Sequence, residues 1–508
     1  MSRYIMAHDL GTSGHKCSVF DLNGQAVATA SLSYPTHYGD RGEAEQHPDD
    51  WWDAVVRTTR AVLERVEPSA IAAVGFSAHM MGVCPVDRSG RPLGRAIIHA
   101  DTRSAGLESE AFARMDEDCF YERTGNRIDS HYPLLKLMWL KRNRPDTYRA
   151  AAYFLQPKDY LVFRMSGTLG ITDFSDASLS GMFAIGSCRW DDDILSAFAI
   201  DRAKLPDIVS SATVAGGVTA EAAAATGLAA GTPVVLGGGD GSCAALGAGA
   251  IAPGDAYVYL GTTAWVSRAS ASPIADKEKR IFTMCGPEAG LYYALGTMQT
   301  AGAAHQWAVR ELGSREALLA ERDGQSPYGL IEDEIARIPW GSDGLLFHPY
   351  LLGERSPIWD EEVRGLFFGL DARHTRFHML RAVMEGVGYA LRSIAEPLQG
   401  REPAACYTVI GGGMKSPAWR AIIASALDAP IRVPAQTEEA TSLGAAMSAG
   451  VAAGIYSGYA DARRRFAGEV REIVPQADRE RVLAGYSLFR ELYARLRDFY
   501  PRLRTLRA

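Results

Sequence analysis

The sequence predicts a mixed α/β chain of two related domains in tandem, packed across a shared cleft, and three observations carry that prediction. A strand, glycine turn, strand unit occurs twice: Leu10-Gly11-Thr12-Ser13 and Leu260-Gly261-Thr262-Thr263 stand about 250 positions apart, each opening a block that mixes strands and helices. The length of 508 residues suits two large domains or about three ordinary ones and can bury a sizeable core. No low-complexity linker separates the blocks, so the division falls near residue 245, giving domains 1–245 and 246–508.

Each element follows in turn. Residues 4–8 read as a strand with its return at 17–21, and Leu22-Asn23-Gly24 carries a hairpin signal ahead of a third strand at 25–32. Residues 49–66 predict a helix entered at Pro48, with Trp52, Val55, Val56, Ala61 and Leu63 at helical spacing. The apolar run 71–77 reads as a buried strand and 96–99 as a brief one, while 133–141 and 158–165 read as helices. A strand at 233–236 runs into Gly237-Gly238-Gly239-Asp240 and an Ala/Gly-rich helix; strands at 255–260 and 264–267 then flank the second turn. A helix at 375–396 carries Leu380, Val383, Val387, Ala390 and Leu391 on one face and is expected to stop at Pro397. A strand at 407–410 enters Gly411-Gly412-Gly413 before a helix at 419–427. The tail 478–500 reads as an amphipathic helix of structural role, capped by Asp478 and stopped at Pro501.

Composition narrows the function. With 53 basic and 60 acidic side chains the net charge is -7, which speaks against a nucleic-acid binder. Hydrophobic content of 47% and charged content of 22% are those of a soluble globular protein. The opening MSRYIMAHDLGTSG is too polar for a signal peptide, and no run of apolar residues reaches membrane-spanning length. Cys17, Cys84, Cys119, Cys188, Cys243, Cys285 and Cys406 are scattered along the chain, so neither a zinc cluster nor a disulfide framework is expected, and a reducing cytoplasm is.

A turn of small and hydroxyl residues can aim backbone N–H groups at an anion, and two such turns facing each other would clamp a triphosphate. Asp9 stands just before the first turn and Lys16 just after it, and a carboxylate there suits Mg2+. Asp240, after a buried-type strand and three glycines, could direct its carboxylate into a crevice as the base for phosphoryl transfer to an alcohol; the same position also suits a helix N-cap. Gly411-Gly412-Gly413 reads either as a flexible loop or as a close-approach surface for a nucleobase or ribose.

Taken in order, these segments resemble the motifs of the FGGY carbohydrate kinase family, within the superfamily of ATPases that includes actin and hexokinase. The resemblance runs from Asp9 to about Tyr493. It rests on Asp9-Leu10-Gly11-Thr12-Ser13 with Lys16, Glu45-Gln46-His47-Pro48 with Trp51-Trp52, Ser77-Ala78-His79-Met80-Met81-Gly82 and Asp101-Thr102-Arg103-Ser104. It continues through Thr172-Asp173-Phe174-Ser175-Asp176-Ala177-Ser178, Gly239-Asp240, Gly261-Thr262-Thr263, Gly353-Glu354-Arg355-Ser356-Pro357, residues 364–370, and Gly411-Gly412-Gly413 with Ser416 and Trp419.

The resemblance implies two ribonuclease H-like domains of the actin-like ATPase type around a central cleft, with sugar on the N-terminal side and ATP mainly on the C-terminal side. Asp240 would be the catalytic base and Asp9 would hold Mg2+. ATP would meet Asp9, Gly11, Thr12, Ser13, Lys16, Gly261, Thr262, Thr263, Gly411, Gly412, Gly413 and Met414. The sugar would meet His79, Met80, Met81, Asp101, Arg103, His131 and Asp240. The implied reaction is transfer of the ATP γ-phosphoryl group to a sugar hydroxyl, with D-xylulose going to D-xylulose 5-phosphate the first expectation; gluconate or a polyol is the alternative. The marks of the xylulose-type members are the glycine run into Asp240, Gln156-Pro157-Lys158-Asp159-Tyr160, and Tyr486, Phe489 and Leu492. Three departures stand out: His99 where the family usually has Trp, Met81 where xylulokinases usually have His, and Gly241 where they usually have Asn. His79 and His131 could replace the missing donors, and each could equally be a structural histidine. An ATP-driven switch or a non-catalytic sugar-binding protein is the alternative from a different class, against which both Asp9 and Asp240 are retained. Sugar and ATP are the expected partners, nucleic acid and membrane are not, and a homodimer is one assembly the sequence allows.

Overall fold

Asn23 and Gly24, the latter at φ 80°, reverse the chain between the second and third strands of the N-terminal meander, β1 (Tyr4–Leu10), β2 (Gly14–Asp21) and β3 (Ala26–Ser33). The computed structural model describes residues 4–399, 403–436 and 438–506; Met1, Ser2 and Arg3 of the N-terminal stretch lie outside them. β1 is apolar on both faces, with Ile5, Met6 and Ala7 fully buried, because it is flanked on both sides. It pairs antiparallel to β2 and parallel to β4 (Ile71–Ala78). β5 (Val214–Gly217) and β6 (Pro233–Gly239) complete a six-stranded sheet in the order β5-β6-β4-β1-β2-β3.

The second sheet repeats the plan. β7 (Ala256–Leu260) and β8 (Ala264–Ser270) form the hairpin, β9 (Phe282–Cys285) and β10 (Tyr292–Met298) extend it, and β11 (Tyr407–Ile410), β12 (Ile431–Pro434) and β13 (Val470–Ile473) follow. The order is β9-β10-β8-β7-β11-β12-β13, with β7, β11 and β12 parallel. The turn before Gly14 and the turn before Ala264 therefore occupy the same place in two like sheets.

Helices fill the faces. The expected helix behind the meander is α1 (Pro48–Leu63), and α2 (Asp240–Gly247) leaves β6 directly. α3 (Gly302–Leu312) follows β10. α4 (Arg376–Leu398) buries Leu380, Val383, Val387, Ala390 and Leu391 as its periodicity predicts. Each of these leucine and valine side chains contributes about 1.5–3 kcal/mol on full burial. Pro397 does not stop α4; it lies in the last turn, where little of the helix ladder remains to lose, and Leu398 beyond it is 2% exposed in the core. α5 (Pro417–Leu427), α6 (Ala440–Ala452) and the tail helix α7 (Arg479–Leu496) complete the set used below. Asp478 caps α7 as expected, but a 3-10 segment, Arg497–Leu506, runs on through Pro501. Buried Tyr500 anchors that segment in the second core. Among the described residues no helix is long and apolar enough to cross a membrane. All seven cysteines are free, yet Cys188 and Cys285, distant in sequence, stand with their sulfurs 3.8 Å apart.

One helix crosses the expected division: α6, from the C-terminal half, packs on β1, β4 and α2 of the first sheet. Two glycines permit the approach. A Cβ on Gly444 would lie 2.0 Å from the Cys243 carbonyl oxygen, and one on Gly247 would lie 1.9 Å from that of Ala440. Both obstacles are backbone, so neither can swing aside. Gly444→Ala is expected to lower the urea midpoint by an amount equivalent to about 1–3 kcal/mol, the usual cost of overpacking. An unchanged midpoint would show that the two helices separate freely.

Candidate active site

The pairing of β1 sets Asp9 opposite Lys16 on β2 and Ser77 on β4. The turn beyond it closes through Gly11 N–H donating to Gly14 carbonyl at 2.9 Å. Gln46 holds that turn: its amide donates to the Thr12 carbonyl at 2.7 Å and accepts from the Trp51 indole at 2.9 Å. The Tyr34 hydroxyl donates to the Gly11 carbonyl. The segment of residues 45–52 is thus a buttress for the first turn, a role the sequence reading did not assign. A fully buried amide side chain in a short strand was the available signal. Gly11 and Thr12 line the cleft cavity, whereas Ser13 is exposed and outside its lining.

Asp240 opens α2 at the end of β6, where the ladder to β4 slips between Val235 and Gly238. Gly237 sits at φ 70°, and a Cβ there would lie 1.8 Å from the Phe76 carbonyl oxygen, so only glycine fits. The helix is capped by Gly239 rather than by Asp240, whose carboxylate, among the described residues, accepts only from the N–H of Gly241 at 2.8 Å. Asp240 is therefore free to face the cavity. Behind it runs a buried chain: the Gly239 N–H donates to the Ser175 hydroxyl at 2.9 Å, and that hydroxyl donates to Asp173 at 2.6 Å. Lys158 joins Asp173 at 3.3 Å, Asp159 at 2.7 Å and Asp176 at 3.4 Å. The segments containing Lys158 and Thr172, quoted from the sequence without a role, hold the backbone that carries Asp240.

Across the cleft, Gly261 N–H donates to the Thr263 carbonyl at 3.0 Å. The Gly261 and Thr262 carbonyls accept from Gly302, Ala301 and Ala303 at the start of α3. Thr263 faces the cleft cavity of about 650 Å³ with Asp9, Lys16 and Asp240. Gly261 and Thr262 face an adjoining cavity of similar size with His305, Tyr328, Gly413 and Ser416. Gly411 and Gly412 line the cleft, and Gly411 sits at φ 101° against the Leu260 carbonyl. Met414 is a correction: it is 1% exposed in the second core and lines neither cavity, because the 3-10 turn Gly412–Lys415 points it inward.

On the opposite end, His79, Met80 and Met81 line the cleft. Asp101, Arg103 and His131 do not, and their partners explain why. Arg103 is committed to Asp101 at 2.6 Å and to Glu45 at 2.9 Å, all three largely buried, and Asp101 also accepts from Ala44 N–H at 2.6 Å. The His131 ring is held by Asp129 at 2.5 Å. Residues given no ligand contact from the sequence take their places in the lining: His99, there noted only as a departure from the family pattern, Arg355, quoted only within a motif, and Thr297, which was not named.

Electrostatics mark the middle of the cavity. Burial pushes the Asp240 carboxyl up to about 7, with the nearby Asp9 charge adding to it. Burial also raises Asp9, against a 2.6 Å hydrogen bond from Thr441 of α6. Lys16 is not free for a ligand here; its ammonium donates to the Glu438 carbonyl at 3.0 Å and to Glu439 at 3.2 Å. Two carboxylates both raised by burial, with the Asp9 charge raising Asp240 further, fit a divalent cation, which would relieve both, and Mg2+ is typically held by one or two carboxylates together with phosphate oxygens and water. No group of three metal-ligating side chains occurs among the described residues, as such a site would not require one.

Two like sheets, each offering a small-residue turn to a cleft that holds two carboxylates, are matched by sequence profiles along the chain. That of the FGGY family of carbohydrate kinases, N-terminal domain, matches residues 4–247, and that of its C-terminal domain matches 256–453. The chain belongs to the FGGY family of carbohydrate kinases. This FGGY kinase is a sugar phosphotransferase. It is 32% identical to the gluconokinase of Bacillus subtilis (strain 168) over 450 residues, 88% of this chain and 86% of that protein. It is 30% identical to the xylulose kinase of the same organism over 516 residues, 99% of each. A solved structure of ligand-bound xylulose kinase from Lactobacillus acidophilus superposes with a TM-score of 0.90 at 27% identity, covering 98% of this FGGY kinase and 99% of that chain.

Proposed function

We propose that this protein transfers the γ-phosphoryl group of ATP to a hydroxyl of D-xylulose, giving D-xylulose 5-phosphate, in a reducing cytoplasm. The observation that carries the reading is Asp240, a carboxylate facing the cavity with no side-chain partner and a pKa near the operating range of a general base. The chain divides near residue 245 into a sugar-side and an ATP-side half. Backbone N–H groups and hydroxyls of the turns at 11–13 and 261–263 hold the phosphates from the two sides. The adenosine end lies in the adjoining cavity, whose lining includes the exposed Tyr328 ring and Gly413. Asp9 holds Mg2+, which when bound neutralises charge on the transferring group. Lys16 leaves Glu439 for a phosphate oxygen. Asp240 accepts the sugar hydroxyl proton as the new O–P bond forms and the bond to ADP breaks.

Gluconate is the second reading, supported by the gluconokinase relative and by Gly241 beside the base. A coupled ADP-release assay across D-xylulose, D-gluconate and polyols tests both. D-xylulose is expected to raise ATP consumption most; if no sugar or polyol raises it above background, the kinase reading of this site is wrong.

A further inference from the structure

The sugar end of the cleft contains polar atoms that have no hydrogen-bond partner among the described residues. His79, at the end of β4, is 2% exposed, packs edge-on against Trp51 at 5.8 Å, and has no hydrogen bond to either ring nitrogen. His99 stands with its ring centre 5.6 Å from that of His79, and its Nδ1 is buried without a partner. Thr297 Oγ1 on β10 and Arg355 Nε are likewise buried and unpaired, and all four residues line the cavity. An unsatisfied buried polar atom is costly, so a ligand that supplies the missing partners is favoured over one that does not.

The two rings are neutral. Burial lowers His79 well below the usual histidine range, with His99 and Lys136 adding to it. Burial lowers His99 to about 4, with Lys136, His131 and Arg355 adding to it. A neutral imidazole offers one donor and one acceptor. A hydroxyl also offers both, so adjacent hydroxyls can satisfy both nitrogens of a ring. A carboxylate only accepts, and it would leave the acceptor nitrogens unpaired. Lys136 cannot serve an anion, because its three N–H groups go to the carbonyls of Met81 at 2.9 Å, Ile98 at 2.8 Å and His131 at 2.6 Å. Asp129 stands within electrostatic reach of Arg355: burial works against its charge, but the His131 hydrogen bond and, less strongly, the Arg355 charge hold its carboxyl below the usual carboxylate range.

We propose that His79 and His99 are the specificity-determining pair of the acceptor site, and that they select an uncharged polyhydroxylated chain, a ketose or polyol, over an aldonate. The proposal rests on the kinase reading for its reaction but not for its binding. Each ring donates to one hydroxyl and accepts from the next, and Thr297 on β10 and Arg355 in a loop of the second half complete the contacts.

The test compares wild type with His99→Leu, His99→Gln and His79→Gln in steady-state kinetics, with calorimetric titration of D-xylulose, xylitol and D-gluconate in the absence of ATP as the readout independent of turnover. Wild type is expected to favour D-xylulose over D-gluconate by about 100-fold or more in kcat/KM, the scale of discrimination by buried hydrogen-bonding groups. His99→Leu is expected to raise KM for the neutral substrate about 10-fold or more, with a much smaller change in kcat and in KM for ATP. His99→Gln, which keeps a donor and an acceptor, is expected to recover most of that loss. Preference for D-gluconate, or an unchanged KM and affinity in His99→Leu, overturns the proposal. Loss of turnover with every acceptor, while the neutral ligands still bind wild type and not His99→Leu, overturns the kinase reading and leaves this pair standing. If His79→Gln fails to fold by thermal melting, the two His99 variants carry the test.

Discussion

Asp240→Asn is expected to lower kcat by about 10²- to 10⁴-fold, the contribution of a positioned general base, while sugar affinity changes little. The exchange keeps the side-chain shape and the contact with Gly241 N–H, so the loss isolates proton acceptance. Retention of near-normal turnover would remove Asp240 as the base. The same residue sets an acid limb. Its carboxyl is raised to about 7 by burial and by Asp9, and only the ionised form can accept a proton. The kcat/KM of the free enzyme is therefore expected to fall as pH drops through about 7. A cation at Asp9 removes part of the repulsion, so the limb in kcat, measured with nucleotide and metal bound, is expected at lower pH than the limb in kcat/KM. Coincident limbs would show that the two carboxylates do not interact.

Lys158→Met is expected to destabilise the protein by about 3–5 kcal/mol, the usual cost of breaking a buried ion pair from one side. Burial opposes the charge on Lys158 most strongly, yet Asp159, Asp173 and Asp176 together hold its pKa above that of an ordinary lysine. Without the ammonium, Asp173 keeps its hydroxyl donors Ser175 and Ser211 at 2.6 and 2.9 Å, but Asp159 loses its only charged partner. Asp176 sits at the other extreme. Burial pushes its carboxyl well above the ordinary range and neither oxygen has a hydrogen bond, so it costs least to neutralise. Adding Asp176→Asn to Lys158→Met is therefore expected to recover part of the loss, a non-additivity that urea denaturation of the two single variants and the double variant measures. A wild-type midpoint for Lys158→Met would show that the carboxylates are satisfied without it. Because Ser175 also holds Gly239, any folded Lys158→Met protein is expected to lose kcat as Asp240 moves.

Much of the frame was legible along the chain. The Asn-Gly turn, the two small-residue turns and the glycine run before Asp240 are backbone devices whose meaning depends on residues within three or four positions. The apolar face of α4 was read by period alone, whereas in α1 only Val55 of the five positions read is buried, Ala61 is exposed, and Trp51, Ala54 and Val62 face the core instead. Pro397 and Pro501 misled for the complementary reason: a proline disfavours the next turn locally, but Leu398 and Tyr500 are buried in the second core and hold the chain in place.

The sequence by itself determined that this is a two-fold α/β chain with small-residue turns at 11–13 and 261–263 and a carboxylate at Asp240, since each is written in contiguous residues. Only the tertiary structure decided which polar side chains face the cleft. Asp101, Arg103 and His131 turned to Glu45, Ala44 and Asp129, while His99 Nδ1, Thr297 Oγ1 and Arg355 Nε, on residues of the cavity wall, have no hydrogen-bond partner among the described residues. It also decided that α6 of the second half would pack on the first sheet and bring Thr441 to Asp9. The physical reason is that a hydrogen bond or ion pair is chosen among groups brought together from distant segments. The local pattern fixes the backbone around a polar residue, and the assembled fold fixes its partner.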